Sequence, residues 1–169
     1  RLTRTQSAFG AEYDSLSDMV SFGVAPALVM FEWAMKGMGK WGWIAAFIYC
    51  VGAALRLARF NTNIEVIDKR FFQGLPSPAA AALIAGFVWV LMDLNYTGEE
   101  VRWYAWALTI FAGVTMVSNF RYYSGKDINL RRSVPFIAVL AIVLFFVLVS
   151  SYPPGILFAL FLCYAFSGY

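Results

Sequence analysis

The stretch Gly10-Ala-Glu-Tyr-Asp14-Ser-Leu-Ser-Asp18 opens an apolar run that extends to about Met35. Gly10, Asp14 and Asp18 are spaced four apart, so on an α-helix they drift only slightly around the axis and share one face. Two carboxylates one turn apart repel by roughly 0.2–0.5 kcal/mol on an exposed helix, and by more where water is scarce. A shared cation relieves that repulsion, and hard carboxylate oxygens suit Mg²⁺ or Mn²⁺. Gly10, a turn before Asp14, removes a side chain from the same face and lets a ligand approach the backbone. The alternative is an ordinary helix start, because acidic residues in a first turn are favoured by the helix dipole. Spacing alone leaves both readings open.

Composition places this run in a membrane. Of 169 residues, 61% are hydrophobic and 14% charged, and the mean hydropathy is +0.67; soluble domains are about 45–50% apolar and about 25% charged. The chain divides into six apolar segments, about 9–35, 41–60, 76–94, 101–120, 134–151 and 155 onward, each near the length that crosses a bilayer. The fold expected is an all-α polytopic transmembrane helix bundle of about six spans. Glycine-rich Lys36-Gly-Met-Gly-Lys40, Asn95-Tyr-Thr-Gly98 and the pair Pro153-Pro154 read as turns. A carboxylate inside a span costs about 2.5–3.5 kcal/mol at its centre and less near an end, so a pair placed there points to use.

Loop charges orient the bundle. Arg1, Arg4, Arg56, Arg59, Lys69, Arg70, Arg121, Lys126, Arg131 and Arg132 fall on the side of the acidic pair, and Lys36, Lys40 and Arg102 on the other. The positive-inside rule puts Asp14 and Asp18 at the cytosolic face of the cytoplasmic membrane. Trp33, Trp41, Trp43 and Trp103 fall near the opposite ends, as an aromatic belt requires. The chain has no histidine, which excludes a histidine dyad, a histidine triad and a histidine-ligated metal. Cys50 and Cys163 sit in apolar runs without Cys-x-x-Cys spacing and read as packed or lipid-facing thiols. A net charge of +3, with basic residues sorted by membrane side, gives nucleic-acid binding little support.

Arg1 stands nine residues before Gly10. The resulting Arg1-x8-Gly10-x3-Asp14-x3-Asp18 resembles the second half of the signature of the CDP-alcohol phosphotransferases, D-x2-D-G-x2-A-R-x8-G-x3-D-x3-D. The resemblance implies that Asp14 and Asp18 are the third and fourth aspartates, metal ligands in a site for two Mg²⁺ or Mn²⁺ ions, with Asp18 also the general base. Arg1, Ser7 and Gly10 are then expected at the nucleotide diphosphate. It further implies a CDP-linked lipid donor, CMP as leaving group and a homodimer. The first two aspartates would precede residue 1, so residues 1–169 are expected to be one transmembrane catalytic domain, incomplete at its N-terminus, with one or more further spans upstream. The last segment is short, and continuation past Tyr169 is left open.

The acceptor is read from Phe71-Phe-Gln-Gly-Leu-Pro-Ser-Pro-Ala-Ala-Ala81. Pro76 and Pro78 preset a helix start, Ser77 can cap it, and the alanines permit close packing. That helix entrance faces the side of the aspartates, where free N–H groups and Ser77 can also bind an anion. Together with Leu57-Ala-Arg-Phe-Asn61, the wording is similar to the integral-membrane phosphatidylserine synthases within that family, which implies CDP-diacylglycerol and L-serine as substrates. Arg56 and Arg59, three apart, can face one ligand together, and a guanidinium grips phosphate or carboxylate in bidentate fashion; snorkelling to lipid is the bland reading. Arg59 with Asn61, and more weakly Asn119 and Arg121, are the further candidates, whereas Lys126, Arg131 and Arg132 suit anionic headgroups. Sister enzymes taking glycerol 3-phosphate, inositol or inositol phosphate remain the nearest alternatives, followed by an ion-conducting protein and a purely structural one. A conducting protein predicts polar residues along the bundle axis, yet the middles of the spans are nearly all apolar.

Overall fold

The computed structural model describes residues 8–62, 71–123 and 136–169. Arg1, Ser7, Lys69, Arg70, Lys126, Arg131 and Arg132 lie outside them. The first span is helical throughout: α1 (Ala8–Asp18), a π-helical turn Met19–Val24, α2 (Ala25–Met30), a second π turn Phe31–Met35 and a 3₁₀ turn Lys36–Met38. It is followed by α3 (Lys40–Thr62), β1 (Phe71–Gln73), α4 (Ser77–Asp93), α5 (Arg102–Val117), β2 (Arg121–Tyr123), α6 (Phe136–Ser151) and α7 (Pro153–Phe166). The protein is an all-α bundle, and the two strands form only a three-residue antiparallel ribbon in which Phe72 faces Tyr122. Both stretches fall between the expected spans, and Phe71-Phe72 and Tyr122-Tyr123 are of a residue type that favours strand.

Six helical segments thus occupy the places of the six expected spans. Glu12–Met38 and Lys40–Thr62 are each long and apolar enough to cross a bilayer alone. The remaining helices, with 14 to 17 residues, are shorter than the ~20 a full crossing takes. At Pro153-Pro154 the chain bends by 119° between the last two helices, because proline supplies no N–H to continue α6.

The π turn after Asp18 has a sequence cause. In a regular α-helix the Phe22 carbonyl would accept from the N–H of residue 26, and Pro26 has none. The helix widens there, with the Ala25 N–H reaching back to the Val20 carbonyl, and the Tyr49 hydroxyl of α3 donates to the Phe22 carbonyl at 3.0 Å. The Cys50 thiol approaches the Gly23 carbonyl at 3.7 Å. Tyr49 is fully buried. A proline in the first span therefore specifies a hydrogen bond that joins it to α3.

Small residues let the helices meet closely, as membrane bundles require. Ala27, Ala45, Ala53, Ala80, Ala105 and Ala112 are buried in the core. At the crossing of α3 and α5 a Cβ on Gly52 would stand 2.4 Å from the Gly113 carbonyl oxygen, so the two backbones touch only because that side chain is absent. Many larger apolar side chains point outward, and α6 is exposed along nearly all of its length. At the end remote from Asp18, the Trp106 indole donates to the Trp41 carbonyl at 3.0 Å, and Trp41, Trp43 and Trp103 are exposed. Trp33 turns partly inward against Phe87.

Replacing Tyr49 with Phe keeps the ring and orphans the Phe22 carbonyl. The expected loss is ~1–3 kcal/mol of stability, read as a lower thermal midpoint of the detergent-solubilised protein. Gly52→Ala is expected to lower it as well, because backbone faces the new methyl group.

Candidate functional site

α1 carries Gly10, Asp14 and Asp18 in helical register, one turn apart, and all three are exposed. Among the described residues the one salt bridge joins Lys36 and Glu32 at the opposite end of the span. Neither aspartate is neutralised by an ion pair with a described cation. Among the described residues no three acidic, histidine or cysteine side chains gather as a metal site, so this stretch offers two carboxylates.

The placement of α4 beside them is decided by the chain before it. Gly74 has φ +75°, a left-handed conformation open to glycine, and a Cβ there would lie 2.3 Å from the Met116 carbonyl oxygen. Its N–H donates to the Phe120 carbonyl at 2.9 Å, and that of Leu75 to the Thr115 carbonyl at 3.1 Å. The entrance of α4 is thus stitched to the end of α5. Ser77, buried at the first turn, then accepts from Arg56 Nη1 at 3.0 Å.

Arg56, Ser77 and Asp18 converge. With Phe22, Ala53 and Pro78 they line one small cavity of ≈ 30 Å³, about the space of a single water. The Arg56 guanidinium lies within electrostatic reach of the Asp18 carboxylate and of Tyr164 on α7. Its Nε is buried without a hydrogen-bond partner. Three elements, α1, α3 and α4, each contribute one polar group to this corner.

The other candidates are distributed differently. Arg59 does not join Arg56: its Nη1 donates to the Ser118 carbonyl at 3.4 Å and to Asn119 Oδ1 at 3.1 Å. Arg59 and Asn119 form a pair at the end of α5, on another side of α3. Asn61 turns toward α1, where its amide donates to Ser15 Oγ at 3.1 Å, next to Asp14. Arg121 begins β2 opposite Gln73. Of the set expected to hold phosphate or carboxylate, Arg56 and Ser77 reach Asp18's cavity, Asn61 braces the acidic helix, and Arg59 with Asn119 stand apart.

Sequence reading missed Tyr164 and Ser15. Tyr164 carries a polar tip within the apolar Ile156-Leu-Phe-Ala-Leu-Phe-Leu-Cys-Tyr164, which was its only signal. It is held near Arg56 by Tyr122 of β2, whose ring lies 5.5 Å from its own and whose hydroxyl donates to the Ala165 carbonyl at 2.8 Å. Burial first, then the nearby Tyr169 and Tyr164, push the Tyr122 phenol up to about 12, so it remains a donor throughout the physiological range. Gly74→Val is expected to release the entrance of α4 and shift Ser77 off Arg56. A fall in thermal midpoint, together with increased hydrogen exchange at residues 74–80, is the result to look for.

The model of the CDP-alcohol phosphatidyltransferase family matches residues 1–111. A CDP-diacylglycerol–serine O-phosphatidyltransferase of Helicobacter pylori is 38% identical over 132 residues, covering 76% of this chain and 54% of that protein. The protein of the same name in Methanocaldococcus jannaschii is 39% identical over 122 residues, 72% of this chain and 53% of the relative; one in Mycobacterium leprae is 29% identical over 159 residues, 90% and 53%. The chain spans about half the length of these relatives. With a family model matching residues 1–111 and relatives at 38–39% identity, the chain belongs to the CDP-alcohol phosphatidyltransferase family.

Proposed function

We propose that the protein containing this chain transfers a phosphatidyl group from CDP-diacylglycerol to L-serine, giving phosphatidylserine and CMP at the cytosolic face of the cytoplasmic membrane. The observation that carries this reading is the convergence of Asp18, Arg56 and Ser77 on one cavity, in a chain whose relatives bear the serine enzyme's name.

The donor set suits a divalent cation: two oxygen ligands on one exposed helix face, neither of them in a salt bridge with a described cation. Asp14 and Asp18 would hold Mg²⁺ or Mn²⁺. Such ions supply charge neutralisation on the donor's diphosphate. Gly10, with Arg1 and Ser7, lies where the nucleotide end of the donor is expected. Asp18 takes the proton from the serine hydroxyl as its oxygen attacks the lipid-side phosphorus. The bond from that phosphorus to the oxygen of CMP breaks, and CMP leaves with the electron pair.

Arg56 then has a defined task. Its position suits the carboxylate of the amino-acid acceptor, which the guanidinium can bind with more than one donor. Ser77 holds the guanidinium in orientation, and Asn61 keeps α1 against α3. An ion-conducting role is not favoured: the buried polar side chains described are Ser77, Thr109 and Thr115, and both threonines donate to carbonyls of their own helix. A homodimer, carried by the resemblance, completes the reading.

Full-length protein given CDP-diacylglycerol, L-serine and Mn²⁺ or Mg²⁺ should release CMP only when serine is present. Release driven by glycerol 3-phosphate or an inositol compound instead would assign it to a sister reaction. Asp18→Asn should lower kcat by about 10²–10⁴; full activity in that variant would remove the base. Arg56→Lys should raise KM for serine about tenfold or more, the loss of one charge-assisted contact, while leaving KM for the donor near its original value.

A further inference from the structure

A second concavity lies on another side of α3. It is a groove of ≈ 440 Å³ between α3 and α5, lined by Phe47, Val51, Leu55, Val114 and Val117 with Ser118 at one end. It shares no lining residue with the cavity at Asp18. The close contact of Gly52 with Gly113 forms its floor, and bulkier residues to either side form its walls. Phe47, Leu55 and Val114 are more than 40% exposed, so the groove opens outward at membrane depth.

Its two ends differ in chemistry. Phe47 lies toward the middle of the span; Ser118 lies at the level where the basic residues gather. Arg59 follows Leu55 by one helical turn on the same stripe of α3, and its bond to the Ser118 carbonyl holds it over the mouth of the groove. Both of its hydrogen bonds use Nη1. The Nε and Nη2 donors have no partner among the described residues and remain available for an anion in bidentate geometry. An apolar trough ending in a half-exposed guanidinium at the interface matches a molecule with a long apolar tail and an anionic head.

We propose that this groove is a binding site for one resident anionic phospholipid of the cytosolic leaflet, with an acyl chain along α3 and α5 and its phosphate on Arg59. Charge complementarity selects this occupant over a zwitterionic lipid, whose ammonium would face the same guanidinium. The site is separate from the transfer reaction and independent of which acceptor is used. By filling the trough between α3 and α5, the lipid steadies the end of α5 to which the α4 entrance is stitched.

The test is native mass spectrometry of the full-length protein in mild detergent, with dioleoyl phosphatidylglycerol or dioleoyl phosphatidylcholine added as probes. One phosphatidylglycerol per chain should be retained, in preference to phosphatidylcholine. Arg59→Gln should weaken that retention about tenfold, Arg59→Lys should restore part of it, and Val114→Trp, which fills the groove while leaving Arg59 in place, should abolish it. Equal retention of the two lipids, or undiminished retention in both Arg59→Gln and Val114→Trp, overturns the proposal. So does efficient disulfide cross-linking of Val114→Cys between copies in native membranes, since a second chain would then cover the groove.

Discussion

A half-buried guanidinium within a membrane bundle needs polar company, and Arg56 has groups from three other helices around it. Ser77 of α4 accepts its hydrogen bond, Asp18 of α1 supplies opposite charge, and Tyr164 of α7 lies within electrostatic reach. An uncompensated charge at that depth would cost several kcal/mol, so these elements are not free to separate. The interaction that holds this end of the bundle together also brings a carboxylate, a hydroxyl and a guanidinium to one corner. Cohesion and chemistry have the same origin here.

A second constraint acts through the backbone. Lipid offers no hydrogen bonds, so every carbonyl inside a span needs a partner from the protein. Pro26 removes one such partner, the helix answers with a π turn, and Tyr49 takes the exposed Phe22 carbonyl. The π turn begins at Met19, immediately after Asp18, so it resets the register between the acidic stripe and the buried face beyond it. Gly23 then approaches Ala53 closely, where a Cβ would find the alanine methyl at 3.1 Å. A single proline therefore influences how the acidic helix meets α3.

The two arginines of Leu55-Arg-Leu-Ala-Arg59 illustrate what tertiary context adds to spacing. Three residues apart, they lie within reach of one ligand on an isolated helix. In the bundle each takes the polar partner nearest its own direction: Ser77 for Arg56, the Ser118 carbonyl and Asn119 for Arg59. One contributes to the corner at Asp18, the other to the mouth of the α3–α5 groove. Their separation follows from which helices pack on either side of α3, something a one-dimensional spacing does not contain.

Much of the architecture was written in the sequence by itself. Apolar runs of bilayer length, the glycine and proline turns between them, the four-residue spacing of Gly10, Asp14 and Asp18, and the helix start at Ser77 are local properties, each set by a few neighbouring residues. The bend at Pro153 belongs with them. What the tertiary structure alone decided is who meets whom: Ser77 with Arg56, Asn61 with Ser15, Tyr49 with Phe22, Phe72 with Tyr122. These partners lie 21 to 50 residues apart in the chain, and their pairing depends on interhelical packing and on backbone groups left orphaned by proline and glycine. Such long-range requirements appear only when the helices are assembled, because in lipid a polar group is satisfied by whichever element happens to lie beside it.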